Sequence, residues 1–531
     1  MNIKRLVFAV SCGLMTLLLG NVSADGPANG QLTPSEKRGK LIYLLGTSPS
    51  GKEITCYLGD ASTEVPATAM LCANCHGFDG RGNPEGGVVP SDITWQALTK
   101  SYGVTHASGR KHPPYTERAV ELAVTKGLDP AGNRLPDTMP RYWMSPEDFA
   151  DLVAYLKRLG RDQDPGLTET SIIVGALLPT QGQAGEVGQV MKAALEAYFA
   201  EVNDQGGIYN RKIEFRSGES TSDSTAAKAN TERFIDKEQP FAMAGAFIAG
   251  ADKEIVSVIE EREVPLIGPS TLYPEAGFPL NRHIFYLFSG LKEQSHALVN
   301  FAGEKVQKQN PKLVILYPDS GSPSGVKDAI EEQCKKRQYH SVTGINYSGK
   351  SFDPVGLVKR MSEAGTDAVF MLRFGAEEVA LLKEAGKANW SPYFFIPGAA
   401  AGREILDVPP IFKGKVFLSF PTLPSDETRA GFLEYRALAE KHKLSQRQLG
   451  AQFSAYCAAK ILVEALKLSG KELSREKLIK TLEGFYEFDT GLSPRITYGP
   501  NRRIGALGAY IVSIDPEKKQ FIPASGWITP D

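Results

Sequence analysis

A chain of 531 residues exceeds what one hydrophobic core can hold, and its length allows two to four domains. Its 60 basic and 61 acidic residues leave a formal net charge of −1, which excludes a global bias toward nucleic acid or anionic membranes. The composition, 42% hydrophobic and 23% charged, is that of an ordinary globular protein.

The N-terminus places Lys4 and Arg5 before an apolar run from Leu6 to Leu19 and the small-residue triplet Val22-Ser23-Ala24. That order is the pattern of a secretory signal peptide over residues 1–24, cut before Asp25. The run is about 14 residues, short of the roughly 20 that cross a bilayer, so an uncleaved anchor is the weaker alternative. No later stretch approaches that length, and the mature protein is expected in the periplasm with no membrane span. Cys12 leaves with the signal peptide. Cys56, Cys334 and Cys457 have no regular spacing and are expected as unpaired or buried thiols, a single bridge being the alternative.

Residues 33–45 read as a helix, with Thr33 and Glu36 as a capping box and Pro34 in the first turn. A Gly/Pro/Thr-rich insertion follows and leads to Cys72-Ala73-Asn74-Cys75-His76. Two thiols that can add across haem vinyls, followed directly by an imidazole for the iron, make a covalent c-type haem site. A zinc half-site is the competing reading, but no second Cys pair or His-x-x-x-His completes a tetrahedron. One haem c is therefore expected, on Cys72 and Cys75, with His76 as axial ligand.

Met139, in the Pro-bounded loop Leu135–Pro140, is the expected second axial ligand. Met144, His106 and His112 remain alternatives. Methionine with histidine fills both axial positions and suits electron transfer rather than oxygen chemistry. Residues 147–159 then set Phe149, Leu152, Val153, Leu156 and Leu159 on one helical stripe behind the start signals Ser145-Pro146-Glu147-Asp148. Over residues 33–160 the chain resembles class I cytochrome c. It has the opening helix with Arg38-Gly39, the haem motif with Gly77, the run Gly80-Arg81-Gly82, Met139-Pro140 and the closing helix. The departure is the insertion between Gly46 and Ala69.

Between residues 161 and 170 periodicity gives way to charge, Pro and Gly, and a linker is expected there. Beyond it buried strand-like runs at 172–178, 241–247, 264–267, 313–317, 368–372, 393–396 and 415–419 alternate with helical stretches such as 186–203. That alternation implies parallel sheets with helices on both faces, in two lobes.

Residues 171–531 resemble the periplasmic binding proteins for branched-chain amino acids. The likeness is carried by Val174–Gly182, Glu201–Ile208 with Arg211-Lys212-Ile213, and Val264–Ser270. The fold class is therefore multidomain: a small all-α cytochrome c domain followed by an α/β two-lobed periplasmic-binding-protein (type I) fold. The resemblance implies one lobe from about 171–287 and 420–506 and another from about 288–419 and 507–531. It implies ligand contacts from Phe247, Ile248, Ala249, Ser270, Thr271 and Tyr273 in the first lobe. Ser322, Arg373 and Phe374 are their counterparts in the second.

Amino-acid binders of this kind place hydroxyls where this chain has Ile248 or Ala249, and a carboxylate for the ammonium near Ala399. An ammonium buried without a partner costs several kcal/mol. A less polar or anionic small molecule is thus expected; Arg373 reads as a surface or structural residue with a carboxylate partner as the alternative, and Glu377 and Glu378 as exposed at a helix start with an ammonium contact as theirs.

No hydrolase elbow, phosphate loop or zinc-protease motif is present, and the expectation is an electron carrier and binding protein, not an enzyme. The expected partners are a small organic ligand and a periplasmic redox partner, either a dehydrogenase or another cytochrome. The alternative is a binding component of an ABC importer that meets a permease. A haem peroxidase would need an open iron position.

Overall fold

The computed structural model describes residues 32–530 apart from 59–62, 85, 107, 162–163, 278, 320–324, 349–351 and 374. The segment read as a signal peptide, Ser322 and Phe374 lie outside the described residues. Two compact units meet at Gln163/Asp164.

In the first unit α1 (Pro34–Leu45) starts at Thr33, whose hydroxyl accepts from Glu36 N while the Glu36 carboxylate accepts from Thr33 N. Gly46, with φ +63°, ends it. The strands β1 (Thr55–Leu58) and β2 (Thr63–Pro66) follow, then the short helices α2 (Cys72–His76) and α3 (Trp95–Leu98), and the hairpin β3 (Val104–Thr105) with β4 (Lys111–His112). Helix α4 (Glu117–Lys126), β5 (Arg141–Trp143) and α5 (Pro146–Leu156) complete it.

Helices α1 and α5 touch at Gly39, where a Cβ would sit 1.9 Å from Asp151 O. Beside that contact Arg38 grips Asp151 through Nε at 2.6 Å and Nη2 at 2.8 Å. Helix α5 stops three residues before the apolar stripe does, yet Leu159 stays buried in the turn that follows. The helical frame is as read. The insertion adds to it an antiparallel sheet in the order β2-β1-β5, which the sequence reading did not foresee.

The second unit begins with β6 (Ser171–Leu178), α6 (Gly185–Asp204), β7 (Lys212–Glu219), α7 (Ser224–Glu238), β8 (Ala242–Ala244), α8 (Asp252–Glu261), β9 (Leu266–Ile267) and β10 (Ile284–Phe288). Next come α9 (Leu291–Val306), β11 (Leu313–Pro318), α10 (Val326–Lys336), β12 (Val342–Tyr347), α11 (Pro354–Glu363), β13 (Ala368–Met371), α12 (Ala376–Lys387), β14 (Tyr393–Pro397) and β15 (Val416–Phe420). It closes with α13 (Arg429–His442), α14 (Leu449–Leu468), α15 (Arg475–Glu483), β16 (Ile504–Ala506), β17 (Ala509–Asp515) and β18 (Gln520–Ile528).

One sheet runs β16-β10-β9-β8-β6-β7, all parallel. The other runs β12-β11-β13-β14-β15-β17-β18, parallel until the last two strands, which are antiparallel. Helices cover both faces, as buried runs such as Ile172–Leu178 require. Strands β8 and β9 are shorter than their apolar runs, although Gly245, Phe247 and Ser270 beyond them still bond across to neighbouring segments. The chain crosses between the sheets at 289–290, 421–428 and 507–508. The Ser289 hydroxyl joins the first crossing to the third, donating to Ala506 O at 3.2 Å and accepting from Gly508 N at 2.7 Å.

Candidate functional site

The first unit holds a cavity of about 310 Å³ whose wall includes Cys72, Cys75, His76 and Met139. The three motif residues share one turn of α2, held at its ends by tyrosines: Tyr43 donates to Gly77 O at 2.7 Å and Tyr142 to Met70 O at 2.6 Å. His76 Nδ1 lies 3.0 Å from Ser91 O. A carbonyl can only accept, so Nδ1 carries the hydrogen and Nε2 keeps the lone pair that a metal needs. Burial lowers the His76 pKa against the pull of that carbonyl, which favours the neutral ring. Loss of solvation pushes the Cys72 thiol up to about 12, so it is protonated at neutral pH and slow to oxidise.

Met144, His106 and His112 line the same cavity. The two histidines are engaged with one another, Nε2 to Nε2 at 3.0 Å, and His112 Nδ1 faces Pro113 O at 2.8 Å. Arg110 reaches His106 Nε2 at 2.9 Å with one amine and Asp129 at 2.7 Å with the other. Three nitrogens thus converge, at least one of them bearing a ring lone pair, and the Arg110 guanidinium is the one group there that always donates, as a carboxylate such as haem carries requires. Apolar walls, an imidazole with a free Nε2 and this donor group together fit a haem. When bound, haem supplies a reversible one-electron couple. Ser91, Arg110 and the two tyrosines escaped the sequence reading. Tyr43 alone had a signal, on the inner face of α1.

In the second unit two predicted turns are adjacent. Phe247 and Ser270 form a parallel bridge, Ser270 N donates to Ala246 O at 2.7 Å, and Ile248 N donates to Ser270 O at 3.1 Å. Phe247, Ala249, Ser270 and Tyr273 are half-buried there. Ile248 is a correction: its side chain is buried with Ile255 and Ile259 in the core, where an apolar β-branched residue is at home. Thr271 is another. Its one hydrogen goes to Asp252 and its oxygen accepts from Tyr273 N at 2.8 Å, so it braces the turn and has no hydrogen left for a ligand. Burial raises the Asp252 pKa despite that bond.

A Thr271→Val variant is expected to lose roughly 1–3 kcal/mol of stability in a denaturant melt, because the half-buried Asp252 loses its partner. In the second lobe Arg373 is exposed and lies 3.6 Å from Glu377. Glu378 is buried, not exposed as the sequence implied. Its carboxylate accepts from Gly375 N and the Tyr347 hydroxyl, which leaves it no part in binding an ammonium.

The sequence profile of the family described as periplasmic binding protein matches residues 171–520. The chain belongs to that family. The profile described as cytochrome c matches residues 67–160, so this periplasmic binding protein carries a cytochrome c domain, and haem is the cofactor that domain implies. A curated relative, "Leu/Ile/Val-binding protein homolog 2" of Brucella abortus (strain 2308), is 20% identical over 249 residues. The match spans 46% of this chain and 65% of that protein's length.

Among solved structures, a branched-chain amino acid ABC transporter from Thermus thermophilus with bound valine aligns with a TM-score of 0.52 at 18% identity, over 68% of this chain and 97% of that one. A fatty acid ABC transporter substrate-binding protein from Thermomonospora curvata aligns with the same score and identity, over 69% and 94%. These likenesses show the fold. Equal similarity to proteins named for valine and for fatty acid leaves the ligand to this chain's own residues. No helix among the described residues is long and apolar enough to cross a membrane.

Proposed function

We propose that this protein is a periplasmic electron carrier with one haem c bound covalently through Cys72 and Cys75, ligated by His76 and Met139 and fused to a receptor for a small organic ligand. The observation that carries the reading is the convergence of those four residues on one cavity, with His76 Nδ1 committed to a carbonyl. A signal peptide over residues 1–24 delivers the chain to the compartment where such haem attachment occurs. Ser270 and the backbone of the paired turns receive the ligand, with Arg373 available to a carboxylate. The spent Glu378 and the missing acid near Ala399 favour an anionic or apolar ligand over a zwitterion. Tethering a carrier to a receptor raises the local concentration of each for a dehydrogenase that handles the ligand.

The test combines two measurements on the mature full-length protein made with an intact haem-maturation system. Its haem should resist extraction by acidified acetone and cycle between oxidised and reduced forms, taking up added ligands only by slow displacement of a native one. In a thermal-shift screen, carboxylates or apolar compounds should raise the melting temperature of the binding unit, since a ligand that binds the folded state stabilises it by mass action. Extractable haem would end the first half of the reading, and stabilisation by leucine alone the second. An importer component is the second reading, favoured by the likeness to ABC binding proteins. It requires that cells lacking the protein lose uptake of the stabilising ligand while its oxidation by isolated periplasm persists.

A further inference from the structure

The segment inserted ahead of the haem motif becomes the hairpin β1–β2, and its inner strand pairs with β5 in the register Thr55–Trp143, Cys56–Tyr142 and Tyr57–Arg141. Strand β5 starts just after Met139-Pro140. From that strand Arg141 turns its guanidinium back into the preceding loop. Nη1 donates to Met139 O, and Nη2 donates to Leu135 O at 2.9 Å and Pro136 O at 3.3 Å. Space for it depends on Gly127, which has φ +66° and where a Cβ would fall 2.0 Å from Arg141 Nε. The next residue, Tyr142, is buried and holds Met70 O, just before Cys72. One short strand therefore grips the methionine loop with one side chain and the haem-motif helix with the next.

We propose that Arg141, anchored by the inserted hairpin, is a positioning residue that clamps the Met139 loop and slows displacement of the thioether from iron by outside ligands. The inference rests on Met139 being an axial ligand. For an outside ligand to bind, the loop has to swing away, and charge-assisted hydrogen bonds to three of its carbonyls have to break or stretch first. The hairpin adds a ladder that fixes where the arginine stands.

The test is the rate at which imidazole displaces the native ligand in the oxidised, haem-loaded full chain, followed by stopped-flow absorbance. Arg141→Gln should react on the order of ten- to a hundredfold faster than the parent. Arg141→Lys, keeping the charge with fewer aligned donors, should fall between them. Met139→Ala should bind imidazole without a slow step. An unchanged spectrum in Met139→Ala would show that the axial assignment has failed. An open iron in Met139→Ala with parent-like rates in the Arg141 variants would overturn the clamp alone. Should Arg141→Gln fail to mature, Arg141→Lys decides the matter by the same comparison.

Discussion

A His76→Ala variant will lack the low-spin haem spectrum of the parent protein. The ring is neutral through burial, its Nδ1 hydrogen is fixed on Ser91 O at 3.0 Å, and its lone pair belongs to Nε2. No other imidazole on the cavity wall has a free Nε2 to replace it, because His106 Nε2 and His112 Nε2 face each other at 3.0 Å. Absorption spectra of the reduced protein check this directly. A variant that kept a six-coordinate low-spin spectrum would show that the iron's histidine lies elsewhere. Ser91 meets His76 through its carbonyl, and its hydroxyl reaches only His106 Nδ1, at 3.5 Å, so its substitution should leave ligation intact.

The second large effect is expected at Asp129. Its side chain is fully buried, pairs with Arg110 at 2.7 Å, and accepts from Ala131 N, Asn133 N and Asn133 Nδ2, each at 2.9 Å. Asp129→Ala leaves the mostly buried Arg110 without its counter-charge and strands two backbone N–H groups. The expected loss is about 3–5 kcal/mol, read from denaturant unfolding followed at the haem absorbance of the first unit. A loss under about 1 kcal/mol would mean that solvent replaces the carboxylate easily.

The same residue sets a pH dependence. Burial pushes the Asp129 carboxyl up, but hydrogen bonds from Asn133 and Arg110 outweigh it and hold the pKa below the ordinary 3.8. A depressed carboxyl pKa adds stability that is present above the unfolded value and is lost as pH falls through the folded one. The parent should therefore lose stability progressively below about pH 4, and Asp129→Asn should show a shallower acid limb. Asp151, lowered by Arg38 and Ser35 against the cost of burial, acts in the same direction and keeps that limb from vanishing.

Local signals in the sequence mark the helical frame of the first unit well. Thr33 with Glu36, and Ser145 with Pro146, place both helix starts, because capping chemistry depends on residues a few positions apart. The haem motif is equally local. The hairpin in the insertion was not legible, since its inner strand is stabilised by β5, some 85 residues away in sequence. Ser91 and Arg141 escaped notice for a related reason: one acts through its own carbonyl, the other on carbonyls, and main-chain groups leave no trace in residue type. In the second unit the buried runs announced β6, β8, β9, β11, β13, β14 and β15, whereas β7 and β12, at sheet edges with exposed polar residues, went unannounced, and the buried interior strands β10 and β17 were missed as well. Cleft residues carried over by resemblance fared least well. Thr271 looks available until its partner Asp252 is seen, and Ile248 until its packing in the core is.

The interleaving of the second unit bears on the order in which the protein can assemble. Strand β16, at residues 504–506, pairs with β10 at the edge of a sheet whose other strands all precede residue 289, and the entire second sheet up to β15 is made in between. As the chain emerges N-terminus first, that edge stays open until nearly the last residues appear. The segment ending at Gln163 has every strand and helix it needs from the start. It can fold and receive its cofactor while the receptor is still waiting for its closing strand.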